Sequence, residues 1–137
     1  MVGVYSDGKL VETLTKEGKT SDLLAEIYAD LASRYKIDRL IYVNSPGSFM
    51  SIKLTYIFLK SLSILEDVSL FAVDGFYLNQ NQPIKAMAKL YFVKVSSKII
   101  TQKFETPPES RFLLPQTLDE SEVKAQAEPI YVIGAIG

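Results

Sequence analysis

Two residue types that carry much of the polar chemistry of proteins are missing from this sequence, which contains no cysteine and no histidine. The lack of cysteine excludes disulfide bonds, cysteine–zinc sites and thiol catalysis. The lack of histidine removes the usual general base, the Ser-His-Asp triad and histidine-based metal sites. Any chemistry would have to use carboxylates, lysine, tyrosine, serine or backbone amides, which argues against hydrolytic catalysis without forbidding it.

An excess of basic charge is also missing. The 15 lysines and arginines are balanced by 16 acidic residues, giving a formal net charge of −1. Nucleic-acid binding needs clustered Lys and Arg, so the composition does not suggest that the chain binds nucleic acid on its own. The lysines between residues 89 and 103 fit a solvated sheet face better than an RNA track.

The sequence has no run of apolar residues long enough for a membrane span. Its most apolar stretch, Ile52–Leu65, is too short and contains Lys53 and Lys60. The first residues lack the charged and apolar regions of a signal peptide. We therefore expect a cytoplasmic protein with no membrane association. The 137 residues, 47% of them hydrophobic, suffice for one ordinary domain or two very small ones.

The first half of the chain shows strand and helix patterns in alternation. Val2–Thr15 reads as two strands joined at Asp7-Gly8, a strong signal for a tight hairpin turn. Lys19–Ile37 has apolar residues at helical spacing, and Thr20 or Ser21 can cap this helix. Arg39–Asn44 is a short apolar strand of the kind that is buried on both faces.

A second helix is predicted from Phe49 to Leu65, after the turn Ser45-Pro46-Gly47 and with Ser48 as its N-cap. It is apolar almost all round, which is typical of a helix buried on more than one face. One face can pack on a sheet, whereas the other needs a neighbouring helix or a partner protein. The following strand, Val68–Gly75, completes a βαβ unit with parallel strands.

The remainder of the chain is predicted to be rich in β-structure. The polar block 76–83 marks a boundary between a first part, residues 1–76, and a second part, residues 77–137. Two strands, Lys89–Val95 and Lys98–Phe104, meet at Ser96-Ser97. A short helix is expected within residues 119–126 and a last strand at 130–137.

The stretch from Ser45 to Lys53 raises the question of phosphate binding. A Walker A loop needs several glycines and an adjacent Lys-Ser/Thr pair, and this loop has one glycine and no adjacent lysine. A weak anion site remains open, formed by the free amides of Gly47 and Ser48 with Lys53 one turn along. The favoured interpretation is a structural turn from strand to helix, in which Ser48 caps the helix. Asp74, at a strand end, could bind a ligand but is favoured as a turn residue.

The motif SPGSFMSIK at residues 45–53 resembles the Gly-Pro-Gly-Ser-Phe-Thr-Gly-x-Arg motif of the TsaB (YeaZ) family of bacterial tRNA threonylcarbamoyladenosine biosynthesis proteins. Pro46, Gly47, Ser48 and Phe49 match that motif, and Lys53 stands in place of its arginine. The preceding helix, the strand LFAVDG and the hairpin of residues 89–104 also fit the family pattern.

The resemblance implies an α/β fold of the actin/Hsp70-like (ribonuclease H-like) group, once labelled glycoprotease-like. We expect a mixed sheet with two helices on one face, followed by a reduced β-rich second part. The family opens with a strand ending in an Asp-Thr-Ser type motif. The resemblance implies that this first strand is missing and that the chain starts at the second strand.

The resemblance implies a non-catalytic scaffold that has no cofactor or metal of its own. Such proteins bind a catalytic TsaD-type paralogue, together with a TsaE-type ATPase, and meet tRNA only indirectly. The family docks its partner, or a second copy of itself in a homodimer, through the two N-terminal helices. The residues predicted for this interface are Leu24, Tyr28, Leu31, Tyr35, Ile52, Tyr56 and Leu59.

Two other functions stay open at this point. One is a nucleotide-binding ATPase or other enzyme that uses the Ser45–Lys53 loop. The other is a degenerate homologue with a different protein-interaction role.

Overall fold

The computed structural model describes residues 1–46, 49–109, 111–125 and 128–129. The predicted cap Ser48, together with Gly47 and the predicted strand 130–137, lies outside these described residues.

The chain begins with the predicted hairpin. Strand β1 (Val2–Ser6) pairs antiparallel with strand β2 (Lys9–Leu14). The two turn residues, Asp7 and Gly8, have φ of 51° and 78°, the left-handed backbone that a tight hairpin of this twist requires. Asp-Gly meets this requirement cheaply, since glycine has no Cβ and aspartate tolerates positive φ. The hairpin prediction is confirmed.

Helix α1 (Thr20–Arg34) follows the hairpin and is shorter than predicted. Its N-cap is Lys19, which makes no side-chain cap hydrogen bond, so the prediction of Thr20 or Ser21 as the cap is wrong. Asp22 in the first turn and Arg34 in the last turn both suit the helix dipole. The helix ends where Tyr35 takes an extended backbone conformation.

The centre of the fold is a βαβ unit. Strand β3 (Arg39–Ser45) and strand β4 (Ser69–Asp74) run parallel, and helix α2 (Phe49–Glu66) connects them. Helix α2 packs on this strand pair, and α1 packs against α2. Both the helix and the parallel pairing were predicted from the sequence. The main core consists of five buried residues: Tyr42, Ile52, Leu59, Leu70 and Ala72.

The second half contains elements that the sequence only partly revealed. The block predicted to be irregular forms a short helix, α3 (Gly75–Leu78), and it is followed by an unpredicted strand, β5 (Ile84–Met87). The predicted pair, β6 (Leu90–Val95) and β7 (Lys98–Lys103), is present and antiparallel. A single 3₁₀ turn, Glu120–Glu122, occupies the predicted short helix. A smaller core of Phe76, Ile84 and Phe92 lies between α3 and this sheet.

The strands form three small sheets, β1-β2, β3-β4 and β5-β6-β7. The chain is therefore an α/β protein, as predicted. The expected single mixed sheet is corrected: within the described residues, no backbone ladder joins the hairpin to the parallel pair. Strand grouping depends on hydrogen bonds between distant segments, which local sequence patterns do not encode.

A C-terminal strap, defined as residues 112–124, connects the β1-β2 sheet to the β3-β4 sheet. The amide of Leu10 donates to the carbonyl of Gln116 at 2.8 Å, which attaches the strap to β2. Further along, Ala72 of β4 and Lys124 exchange two backbone hydrogen bonds of 2.9 and 2.8 Å. The strap belongs to the predicted second part, 77–137, yet it is bound directly to strands of the first part, 1–76.

The hairpin and α1 are linked by an ionic cluster around Glu12. The guanidinium nitrogens Nη1 and Nη2 of Arg34 donate to Oε1 and Oε2 of Glu12, both at 2.8 Å. The hydroxyl of Tyr35 donates to Glu12 Oε1 at 2.7 Å. These hydrogen bonds lower the pKa of Glu12 from 4.5 to about 2, and the bond from Arg34 is the largest cause. The same bond to Glu12 is the main cause that raises the pKa of Arg34.

The inner side of α2 is expected to dominate stability. Replacing the buried Leu59 by alanine should lower the free energy of unfolding by about 2–5 kcal/mol, since it leaves a cavity against β3-β4. The matched change Ile57→Ala, on the exposed side, should cost about 1 kcal/mol or less. Urea unfolding measures both, and equal losses would contradict the assignment of the inner side.

The Glu12 cluster predicts a pH dependence. Because folding lowers the pKa of Glu12, its contribution to stability is complete above about pH 4.5 and is lost as the pH falls towards about 2. The urea midpoint of the native protein should therefore fall more steeply over this range than that of Glu12→Gln. Parallel pH profiles for the two proteins would refute a paired Glu12.

Candidate functional site

The first candidate site is the edge where the two parallel strands end. Ser45 of β3 lies opposite Asp74 of β4, so the polar ends of both strands are neighbours. Ligands of open α/β sheets often bind at this end of the strands. The peptide bond between Ser45 and Pro46 is cis, and α2 begins at Phe49.

Asp74 at this edge is engaged in two structural contacts. One carboxylate oxygen accepts a hydrogen bond of 3.0 Å from the amide of Tyr77, which caps α3, and the other forms an ion pair with Lys94 of β6. Both carboxylate oxygens of Asp74 are therefore engaged within the chain, one as a helix cap and the other in an ion pair that balances the charge. These contacts agree with the favoured structural role of Asp74 and connect α3 to the third sheet.

The neighbouring polar residues are buried within the fold. Ser45 is only 1% exposed, and the buried Asn44 donates a side-chain hydrogen bond of 3.2 Å to the carbonyl of Glu128. A Cβ placed on Gly75 would lie 3.1 Å from Ile84 and 3.5 Å from the carbonyl of Ser45. The strand ends therefore pack closely against α3 and β5.

Of the three residues predicted to form an anion site, the structure describes only Lys53. Gly47 and Ser48 lie outside the described residues, and Lys53 is exposed on α2. Within the described ranges, no group of three or more acidic residues is arranged to hold a metal ion. None of the helices in those ranges has the length and hydrophobicity that crossing a bilayer requires.

The second candidate site is the surface of α2, where the predicted interface needs a correction. Leu31, Ile52 and Leu59 are less than 10% exposed and belong to the interior of this chain, so a partner could not contact them. Periodicity revealed two apolar stripes on α2 but not which one faces the sheet, and the predicted interface used the inner stripe.

The other predicted interface residues lie around the edges of the helix pair. Leu24, Tyr28 and Tyr56 are half-buried, and the ring of Tyr56 lies 6.1 Å from that of Tyr42 in β3. Burial raises the pKa of Tyr28. Tyr35 is exposed, with its hydroxyl bound to Glu12.

The opposite side of α2 carries five exposed apolar side chains. We call this set the outer face, and its exposure runs from 45% at Leu54 to 78% at Leu65. Large apolar side chains that cluster on one exposed helix face are typical of protein interaction sites. Lys53 and Lys60 run along one side of it and were the sequence signal that could have identified the solvent side. The outer face consists of Met50, Leu54, Ile57, Ile64 and Leu65.

Comparisons of the chain with protein-family models, with curated proteins and with solved structures each found no match. The resemblance to the TsaB family therefore stays a prediction, supported by the motif of residues 45–53 and the order of elements.

The contacts of Asp74 predict a graded response to substitution. Asp74→Ala removes the cap and the ion pair and should lower the free energy of unfolding by about 1–2 kcal/mol. Asp74→Asn keeps an oxygen that can accept from Tyr77 and should cost less. Urea unfolding checks the order, and a protein unaffected by Asp74→Ala would argue against the structural role.

Proposed function

We propose that the chain is a cytoplasmic, non-catalytic scaffold subunit of the machinery that transfers a threonylcarbamoyl group to adenosine in tRNA. In this proposal its N-terminal part follows the actin/Hsp70-like plan. The helices bind a catalytic TsaD-type paralogue, a TsaE-type ATPase acts with the pair, and tRNA contact is indirect.

The outer face of α2 is the observation that carries the proposal. Its apolar side chains would remain in contact with water unless another molecule covered them, and covering apolar surface is favourable by about 25 cal/mol per Å². A scaffold needs such a surface, whereas an enzyme needs a reactive site. The polar groups described at the strand ends make contacts within the chain.

The position of the sequence motif supports the family assignment. Pro46 directly follows β3, and α2 begins three residues later at Phe49. The motif thus occupies the strand-to-helix corner in which the TsaB family carries it. The order of hairpin, helix and parallel βαβ unit agrees with the same assignment.

The proposal predicts binding to the TsaD-type paralogue of the same organism. Ile57→Asp places a charge at the centre of the outer face and should weaken co-purification and raise the dissociation constant at least about tenfold. The side chain is half exposed, so the fold should survive, which circular dichroism would verify.

A matched control adds the same charge elsewhere. Ile100→Asp lies on β7 and is similarly exposed, and it should leave binding unchanged. A folded native chain that does not bind the paralogue would refute the proposed function and favour a different interaction role. Binding that is insensitive to Ile57→Asp would move the interface away from α2.

A further inference from the structure

The outer face of α2 has the spacing of a helix-pairing seam. Met50, Leu54, Ile57, Ser61 and Ile64 follow one another at intervals of four, three, four and three residues. This is the heptad pattern by which one α-helix packs along another. At 100° per residue these positions fall within an arc of roughly 80°. All five are exposed in the structure, so the seam is open along its whole length.

The one polar member of the seam does not prevent pairing. The hydroxyl of Ser61 donates to the carbonyl of Ile57, one turn earlier, at 2.8 Å. A serine that is satisfied within its own helix can be covered without leaving a donor unpaired. A partner helix could therefore lie against the seam from Met50 to Ile64.

The two sides of the seam differ in charge. Lys53 and Lys60, seven residues apart, flank it on one side, where coiled coils use charged residues to choose their partners. Both lysines are exposed, and within the described residues neither forms an ion pair. The other side, with Ser51, Phe58 and Leu65, has no charge.

This asymmetry disfavours a second copy as the occupant. In an antiparallel pair of α2 helices, identical sides meet, so Lys53 of one copy approaches Lys60 of the other. In a parallel pair, the lysines face the uncharged side of the other copy and gain no attraction. A different helix with acidic residues beside its apolar stripe would pair with both lysines, and opposite charges across an interface favour that partner over others.

We propose that the outer face of α2 docks an amphipathic helix from a different protein, whose apolar stripe is flanked by Glu or Asp. This inference rests on the proposed function, since it names the chemistry of the partner at the same surface. It specifies the occupied side of α2, the length of the contact and the sign of the partner's charge.

The test uses two synthetic helical peptides of about four heptads, identical in their leucine seam and differing only at the flanking positions. One carries glutamate there and the other lysine, and each repels its own copies because its flanks are alike in charge. Fluorescence anisotropy with the full chain should show the glutamate peptide binding about tenfold more tightly than the lysine peptide. The difference should shrink at about 1 M salt, where charges are screened.

Two variants assign the preference to the seam and its lysines. The double variant K53E/K60E should reverse the preference, so that the lysine peptide binds more tightly. Ile57→Asp should abolish the binding of both peptides, while Ile100→Asp, on β7, should leave it unchanged. Circular dichroism of each variant establishes that the fold is intact.

The outcomes separate this inference from the proposed function. Equal binding of the two peptides, no binding of either, or no reversal in K53E/K60E would overturn the acidic-helix proposal even if the chain still binds the TsaD-type paralogue. Sedimentation showing a tight dimer that Ile57→Asp dissociates would overturn it in favour of a second copy. A preference for the glutamate peptide that K53E/K60E reverses, without binding to the paralogue, would support this inference and refute the proposed function.

Discussion

Helix α2 buries one of its sides against β3 and β4, and this packing positions the other elements of the fold. Parallel strands cannot be joined by a tight turn, so a crossover must connect them, and α2 is that crossover. Ile52 and Leu59 face the strands and form the main core with Tyr42 and Leu70. A helix that is apolar nearly all round then leaves apolar side chains on its far side, and the outer face follows directly from this packing.

Connections from distant parts of the chain hold the smaller units around this core. The strap binds β2 at one end and β4 at the other through backbone hydrogen bonds. It therefore links strands that a continuous sheet would have joined directly. The Glu12–Arg34 pair attaches α1 to the hairpin at the surface, where ion pairs contribute modestly. The β1-β2 and β3-β4 sheets are thus joined by a segment that has little regular structure of its own.

The two candidate sites differ in whether their side chains are engaged within the chain or exposed to solvent. At the strand ends, Asp74 caps α3 and pairs with Lys94, and Asn44 binds a backbone carbonyl, so the described polar groups hold the fold together. On α2, both the apolar seam and its lysines lie open to solvent. This contrast is the basis for proposing that the chain binds a partner and that the partner docks on α2.

Local structure could be predicted from the residues alone. The turn at Asp7-Gly8, the βαβ order and the turn at Ser96-Ser97 depend on residues close along the chain. The sequence also indicated that α2 has more apolar surface than one sheet can cover. Three features became visible in the folded chain alone: the grouping of the strands into sheets, the pairing of β5 with β6, and the side of α2 that is buried. These outcomes depend on contacts between distant segments, and periodicity shows that a helix has two apolar sides but not which one the sheet will cover.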